Sequence, residues 1–434
     1  MQQQQTSLVW LKNNLRSQDN VVLKSALEQS ERTIALFCID PNLFNIGRFG
    51  FKKMAVFRAK FLLETLAELK SELEKLNVTL LVYFDHSKTV IPKLVDRFNI
   101  SNIFLEKEWT YEESLETQSV KALVENKVQF HSFYDQFLFH PDDIPFVPSD
   151  TPKVFTAFRK ILEKQSDVRP TLTVHAQHES GKLDITQNIP SLEDLGFKKP
   201  EKISHSAFPF EGGEVNATNR LKHYFFETKA LGVYKKTRNG LMGTNYSSKF
   251  SAWLANGSIS ARQIYWSVKK FEEEFYSNQS TYWLVFELIW RDFFKYISLK
   301  HGDAIFKING ILDLSYKWSN NPLFIDQWIN GRTSDDFVNA NMIELKKTGW
   351  MSNRGRQNVA SFFAKNQKLD WRIGAAYFES MLVDYDVHSN YGNWMYVSGV
   401  GNDPRDRIFN VKSQADRYDP NHKFRKLWLQ SKLF

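Results

Sequence analysis

A single change in the period of the apolar pattern, near residue 215, divides this chain into two kinds of structure. Upstream, short β-branched or apolar runs at 7–11, 33–39, 79–84, 102–106 and 128–133 alternate with stretches of helical spacing. One such stretch, residues 52–76, brings Val56, Leu62, Leu63, Leu66, Leu69, Leu73 and Leu76 to one helical face. Strands alternating with helices predict a parallel, doubly wound α/β sheet of Rossmann-like type over residues 1–135. No GxGxxG follows the first strand, so the usual dinucleotide fingerprint is missing. Residues 136–214 hold eight of the thirteen prolines and little periodicity, and they predict an interdomain connector. Residues 215–434 have helical spacing almost throughout, at 217–228, 249–255, 261–275, 282–299, 335–348, 353–365 and 371–383, which predicts a large all-α domain. A chain of 434 residues exceeds one hydrophobic core, in keeping with this division.

Charge is distributed unevenly between these parts. Residues 1–200 carry 25 Lys and Arg against 26 Asp and Glu, whereas residues 201–434 carry 32 against 23, so the net charge of +8 resides in the second part. A basic domain joined to a neutral one points to an acidic partner, nucleic acid first. No apolar run approaches the ~18 residues of a membrane span, and Met1 followed by four glutamines lacks the features of a signal peptide, so a cytoplasmic protein without a membrane partner is expected. The lone Cys38 lies in an apolar run and is expected to be packed and inert. Ten of the twelve tryptophans fall between Trp253 and Trp428, as core, stacking surface or electron carriers.

Three segments carry chemistry. Gly243-Thr244-Asn245-Tyr246-Ser247-Ser248-Lys249-Phe250-Ser251 is dense in hydroxyls before a helical run, where it could hold a phosphate or simply cap the helix. Glu287, Trp290 and Arg291 stand at i, i+3 and i+4, which places a carboxylate, an indole and a guanidinium on one face, either lining a cavity or forming an internal pair. Asp384, Asp386 and Asn390 fall in a turn-like segment that could face a heteroaromatic ligand or solvent. No calcium-loop pattern is present, and no metal is expected.

Together these segments resemble the photolyase/cryptochrome family, from Leu8-Val9-Trp10-Leu11-Lys12-Asn13-Asn14-Leu15-Arg16 to Arg407-Ile408-Phe409-Asn410. Within it the chain is most similar to the cryptochrome DASH branch: Lys249-Phe250-Ser251-Ala252-Trp253-Leu254 follows the paired serines, Gln357 stands where double-strand-specific photolyases have methionine, and Tyr396 where they have tryptophan. The usual aspartate of the opening motif is Asn14 here, and Trp109-Thr110-Tyr111 follows the folate-binding form only loosely.

The resemblance implies a noncovalent FAD in the helical domain. Tyr234 and Ser247, Ser248, Lys249, Phe250 and Ser251 would hold its phosphates, Arg291 would pair with Asp384, and Asp384 to Asp386 would border the flavin and adenine, with Asn353 also at the cofactor. Asn390 would face flavin N5, and Trp394, Trp371 and Trp318 would carry electrons from the surface. Glu287 would contact a damaged base pair, while Arg238, Trp290, Asn353, Arg354, Arg356, Gln357, Tyr396 and Gln414 lie where the family meets nucleic acid. The sheet domain would hold a folate antenna, 5,10-methenyltetrahydrofolate, with Glu113 as ligand. The activity implied is blue-light-driven repair of cyclobutane pyrimidine dimers by a monomer, preferentially in single-stranded DNA. Substituting Tyr396 and Gln357 for a ring and an apolar side chain weakens the hold on an extruded dimer, and extrusion costs least from single strands. The alternative is a photoreceptor that regulates transcription without repair. Retention of Glu287 and Asn390, and an end at Phe434 soon after the last motif, favour repair.

Overall fold

Strands β1 (Thr6–Trp10), β2 (Arg32–Cys38), β3 (Thr79–Tyr83), β4 (Ile100–Glu106) and β5 (Gln129–Phe133) form one parallel sheet in the order β3-β2-β1-β4-β5. The computed structural model describes residues 6–177, 182–183, 185 and 187–430; the glutamine-rich start and the chain end at Phe434 lie outside the described residues. Alternate residues of the central strands feed separate cores. Leu8, Trp10, Ile34 and Leu36 pack beneath α3 (Ser87–Phe98) and α4 (Tyr111–Val124), and Val9, Leu11, Ala35 and Leu80 pack beneath α1 (Val21–Gln29) and α2 (Val56–Glu74). Apolar side chains on both faces are what a doubly wound parallel sheet requires.

The connector contains a helix the sequence pattern did not reveal, α5 (Phe155–Gln165), whose Phe155, Phe158 and Leu162 are buried at i, i+3 and i+7. Prolines on both sides hide so short a face. The helical part comprises α6 (Glu214–Lys222), α7 (Tyr234–Thr237), α8 (Ser251–Asn256), α9 (Ala261–Glu274), α10 (Gln279–His301), α11 (Pro322–Ile329), α12 (Asp336–Thr348), α13 (Asn353–Ser361), α14 (Trp371–Met381), α15 (Val387–Ser398), α16 (Val411–Tyr418) and α17 (Lys423–Leu429). π-helical turns at 223–227 and 362–366 interrupt the regular spacing that the sequence predicts for 217–228 and 353–365. Helix α10, 23 residues and so about 35 Å long, is the spine of the domain. It begins at a reciprocal Asn278–Thr281 cap, and its fully buried Asp292 accepts from the backbone N–H groups of Leu138 and Phe139, tying the connector to it.

Buried ions clamp sheet and helices together. Asp135 binds both Arg16 and Arg262, Arg262 also binds Asp19, and Glu214 at the start of α6 accepts from the backbone and hydroxyl of Ser17. At Gly257 the two parts touch so closely that a Cβ would lie 1.9 Å from the Asn13 carbonyl oxygen. Cys38 is half-buried rather than fully packed, and burial raises its thiol to about 12, which keeps it protonated. Among the described residues no helix is long and apolar enough to cross a membrane, and no group of three His, Cys, Asp or Glu residues is arranged to hold a metal ion.

Candidate functional site

A cavity of about 550 Å³ opens between α10, α13 and α15, and it gathers residues from all three chemistry-bearing segments. The hydroxyl-rich loop forms part of its wall, with Ser247, Ser248 and Ser251 beside Tyr234 and Phe250. Its shape comes from Arg220, which sequence reasoning missed. From behind, this buried guanidinium donates to the carbonyls of Thr244, Ser247 and Ser248 at 3.0–3.1 Å and to Asn245 at 2.8 Å. Lys249, at φ +68°, turns its ammonium onto the rings of Tyr246 and Trp350, 3.3 and 4.7 Å from their centroids. Burial pushes that ammonium well below its ordinary range, with Glu344 opposing, and Nζ has no hydrogen-bond partner.

The carboxylates in the same lining find partners different from those expected. Arg356 reaches both oxygens of Asp384 at 2.9 Å, and Lys295 binds Asp386 at 3.2 Å. Arg291 therefore does not pair with Asp384; it donates to the carbonyls of Gln136 and Leu254. The reason is reach. Arg356, at the first turn of α13, is near enough to Asp384 for both bonds, whereas Arg291 lies beside one carbonyl of the connector and one of α8. Arg356 is accordingly held inside the site rather than presented to nucleic acid. Burial opposes ionisation of Asp386, yet Lys295, His388 and Arg291 hold its carboxyl well below the ordinary range.

Glu287 faces the same cavity but pairs with Arg238 at 2.7 Å, not with Arg291 one turn along its own helix. Burial raises its pKa and Arg238 opposes the rise. Trp290 lies flat on Phe155 of α5, centroids 3.7 Å apart, and meets Tyr396 edge-on at 5.9 Å. Arg354 donates to Gln357 at 2.8 Å and to Asn239 at 3.0 Å. Asn353, Arg354, Gln357 and Tyr396 line the cavity together with Asp403, which the sequence did not suggest, and with Arg407 and Phe409, which entered only as the end of the family resemblance and with no site role. Gln414 on α16 lies outside this lining, its buried carbonyl oxygen without a partner.

Asn390 and Trp394 line a smaller adjoining cavity of about 90 Å³, which shares Asn353, Arg356, Asp384 and Asp386 with the larger one. Asn390 donates its amide to the Ala375 carbonyl at 3.0 Å, which fixes the other face of the amide. Trp394 is buried among Phe378, Phe363 and Trp328 on α15, against which α14 packs with the fully buried Trp371. Trp318, partly exposed, is stitched beside Trp371 by Ser319, whose N–H donates to Lys368 at 2.7 Å and whose carbonyl accepts from Asp370 at 3.0 Å.

A second cavity, of about 610 Å³, lies on the seam between sheet and helices and is lined by Glu113. Glu113 accepts from Thr110, and nearby stand two buried carboxyls that the sequence argument missed. Glu106 has no partner on either oxygen, and burial raises it to about 7; burial raises Glu108 to about 8, with Lys12 opposing. Leu254, Ala255, Arg291 and Asp386 line both large cavities, forming a common wall.

Known proteins share this arrangement. Residues 7–177 match the DNA photolyase family, and residues 283–432 match the FAD binding domain of DNA photolyase. Cryptochrome DASH from Gloeobacter violaceus is 45% identical over 98% of this chain and 85% of its own length; that from Danio rerio is 44% identical over 99% and 84%. A solved Synechocystis cryptochrome superposes with a TM-score of 0.93 at 39% identity, covering 99% of this chain and 89% of that one. An archaeal photolyase from Sulfolobus tokodaii, solved with two FAD molecules, gives 0.78 at 27% identity, covering 98% and 90%. Identity at this level, sustained from the first strand to the last helices, shows that the chain belongs to the photolyase/cryptochrome family.

Proposed function

We propose that this protein repairs cyclobutane pyrimidine dimers in single-stranded DNA under blue light, using FAD. The cavity between α10, α13 and α15 suits FAD on its own chemistry: the hydroxyls of the Ser247–Ser251 segment would take a pyrophosphate, the carboxylates of Asp384 and Asp386 would take ring and adenine N–H groups, and two basic side chains in its wall, the buried Lys249 and the half-buried Arg354, each keep a nitrogen without a partner. Ser247, Ser248, Ser251 and Tyr234 would hold the phosphates, Asp384 and Asp386 the heterocycles, and Asn390 would meet flavin N5. When bound, the flavin absorbs the light and supplies the electron that splits the dimer. Trp394, Trp371 and Trp318 would return electrons from the surface.

The observation that carries repair over signalling is Glu287, a carboxyl raised by burial and aimed into the cavity beside Arg238. Arg238 is drawn to a phosphate when DNA enters, because the charge-assisted bond forms there equally well. Glu287, freed of its counter-ion, then keeps a proton more readily and donates to a carbonyl of the extruded pyrimidine as negative charge develops on it. Tyr396 and Gln357 at the mouth grip less than a larger ring and an apolar side chain would, which favours substrates whose bases are already unpaired.

Glu287→Ala tests this reading. Flavin absorption and photoreduction should stay near wild type, and dimer splitting per absorbed photon on saturating single-stranded substrate should fall several-fold, as for one lost hydrogen bond worth about 1 kcal/mol. Wild type that photoreduces but splits no single-stranded dimer would instead be a photoreceptor. Equal repair of intact duplex and single strand under identical salt would remove the strand preference.

The cavity on the seam is proposed to hold a folate antenna, its acceptor-rich wall of Glu106, Glu108 and Glu113 matching the N–H groups of a pterin. Purified protein should show a near-ultraviolet shoulder that is released on denaturation. Glu113→Ala should lose that shoulder and keep the flavin bands; a shoulder of wild-type height in the variant would exclude Glu113 as ligand.

A further inference from the structure

Beyond Trp318 the chain of aromatic side chains does not stop. Tyr316 is exposed at 39%, its ring centroid 5.6 Å from that of Trp318, and its hydroxyl points to the Asp406 carboxylate and the Gly399 carbonyl, each 3.5 Å away. Asp406 is fixed in place by an ion pair with Lys365, whose ammonium also lies 5.3 Å from the Tyr316 ring. Gly399 allows this approach: a Cβ there would stand 2.0 Å from the Asp406 carboxylate, and its φ of +82° is the left-handed conformation that glycine adopts without strain. Trp318 is placed differently, for its Nε1 is buried and has no partner among the described residues.

This contrast decides where an oxidising equivalent comes to rest. An indole that gives up an electron becomes a cation, and its N–H proton can leave only if an acceptor is near. Trp318 has none, so its radical cation stays protonated and oxidising. The Tyr316 phenol has an acceptor in reach. Burial and the Asp406 charge both hold the phenol's pKa above its ordinary value, so it still carries its proton when the electron is demanded.

We infer that Tyr316, hydrogen-bonded to Asp406, is the terminal electron donor of flavin photoreduction, one step outside Trp318; the inference rests on the tryptophan chain proposed above. One electron passes from the phenol to the Trp318 radical cation and restores neutral tryptophan. The O–H bond of Tyr316 breaks, and its proton bonds to an Asp406 oxygen. The products are a neutral tyrosyl radical and a neutral carboxylic acid, with the positive charge left on the Lys365 ammonium, so return of the electron to the phenoxyl also requires return of the proton from Asp406. An exposed ring can then be reset by a soluble thiol acting as one-electron reductant.

The test uses the full-length holoprotein, with a blue pulse followed by transient absorption and electron paramagnetic resonance. In wild type the late radical should be tyrosyl, its spectrum narrowing when ring-deuterated tyrosine is incorporated, and its formation slowing in D₂O. Tyr316→Phe keeps the ring but not the hydroxyl; the late radical should become tryptophanyl and recombine several-fold faster. Asp406→Asn should give the same result with the tyrosine still present, which separates loss of the proton acceptor from loss of the ring. Unchanged flavin absorbance and far-ultraviolet circular dichroism in each variant establish folding. A tyrosyl signal that persists in Tyr316→Phe, or a late wild-type radical that is purely tryptophanyl, overturns the inference. Absence of any tryptophanyl radical at early times in wild type overturns the chain reading on which it stands.

Discussion

Trp394→Phe should bind FAD normally and lose most of its photoreduction, by roughly tenfold or more, the factor each ~1.4 kcal/mol of added barrier imposes. Trp394 is packed edge-on against Phe378, Phe363 and Trp328, and a Cβ on Gly374 would come within 2.2 Å of its ring, so the indole is held in one position beside Asn390. Phenylalanine occupies most of that space but is much harder to oxidise, so the proposed route from α14 would be cut while the fold remains. Repair by enzyme reduced chemically beforehand should survive, because the light-driven step in DNA does not use this ring. Transient absorption showing an undiminished tryptophanyl radical in the variant would eliminate Trp394 as first donor and turn attention to Trp328, which lies 6.2 Å from it.

Asp135→Ala should cost ~3–5 kcal/mol of stability, the penalty for removing one member of a buried charge cluster. Asp135 is almost wholly buried and serves Arg16 from the sheet domain and Arg262 from α9 together. Without it two guanidiniums share only Asp19 and backbone carbonyls in a site closed to water. Against a usual total of ~5–15 kcal/mol that loss is large. Thermal melts followed by far-ultraviolet circular dichroism and by flavin fluorescence should fall together, because the ion cluster belongs to both domains. A change below about 1 kcal/mol, within the range of ordinary surface substitutions, would show that the cluster contributes little to holding them together.

Local periodicity made the sheet and the long helices legible. Residues 33–39 and 52–76 announce strand and helix because their burial is decided by neighbours two to four positions away. The Ser247–Ser251 segment stood out differently, by a density of hydroxyls among adjacent residues. Charge pairing was not legible. The spacing of Glu287 and Arg291 suggests an i, i+4 pair, yet Arg238 from the end of α7 takes the carboxylate, and Arg356 takes Asp384 from 28 positions away. Partners of that kind are chosen by the tertiary fold, which spacing along one helix does not contain. Arg220 escaped notice because its work is on backbone carbonyls, and Glu106 because a strand residue with no partner leaves no pattern at all.

The common wall of Leu254, Ala255, Arg291 and Asp386 has a genetic consequence. A substitution at any of the four alters the walls of two cavities at once, so with the proposed flavin and antenna in place a change that tunes the fit of one would perturb the other in the same step. Arg291 is the extreme case, since its guanidinium holds carbonyls from the connector and from α8 while its side chain faces both spaces. If the seam cavity holds the proposed antenna, changes at lining residues that belong to this cavity alone, such as the exposed Arg48 and Glu112, are free of this pleiotropy.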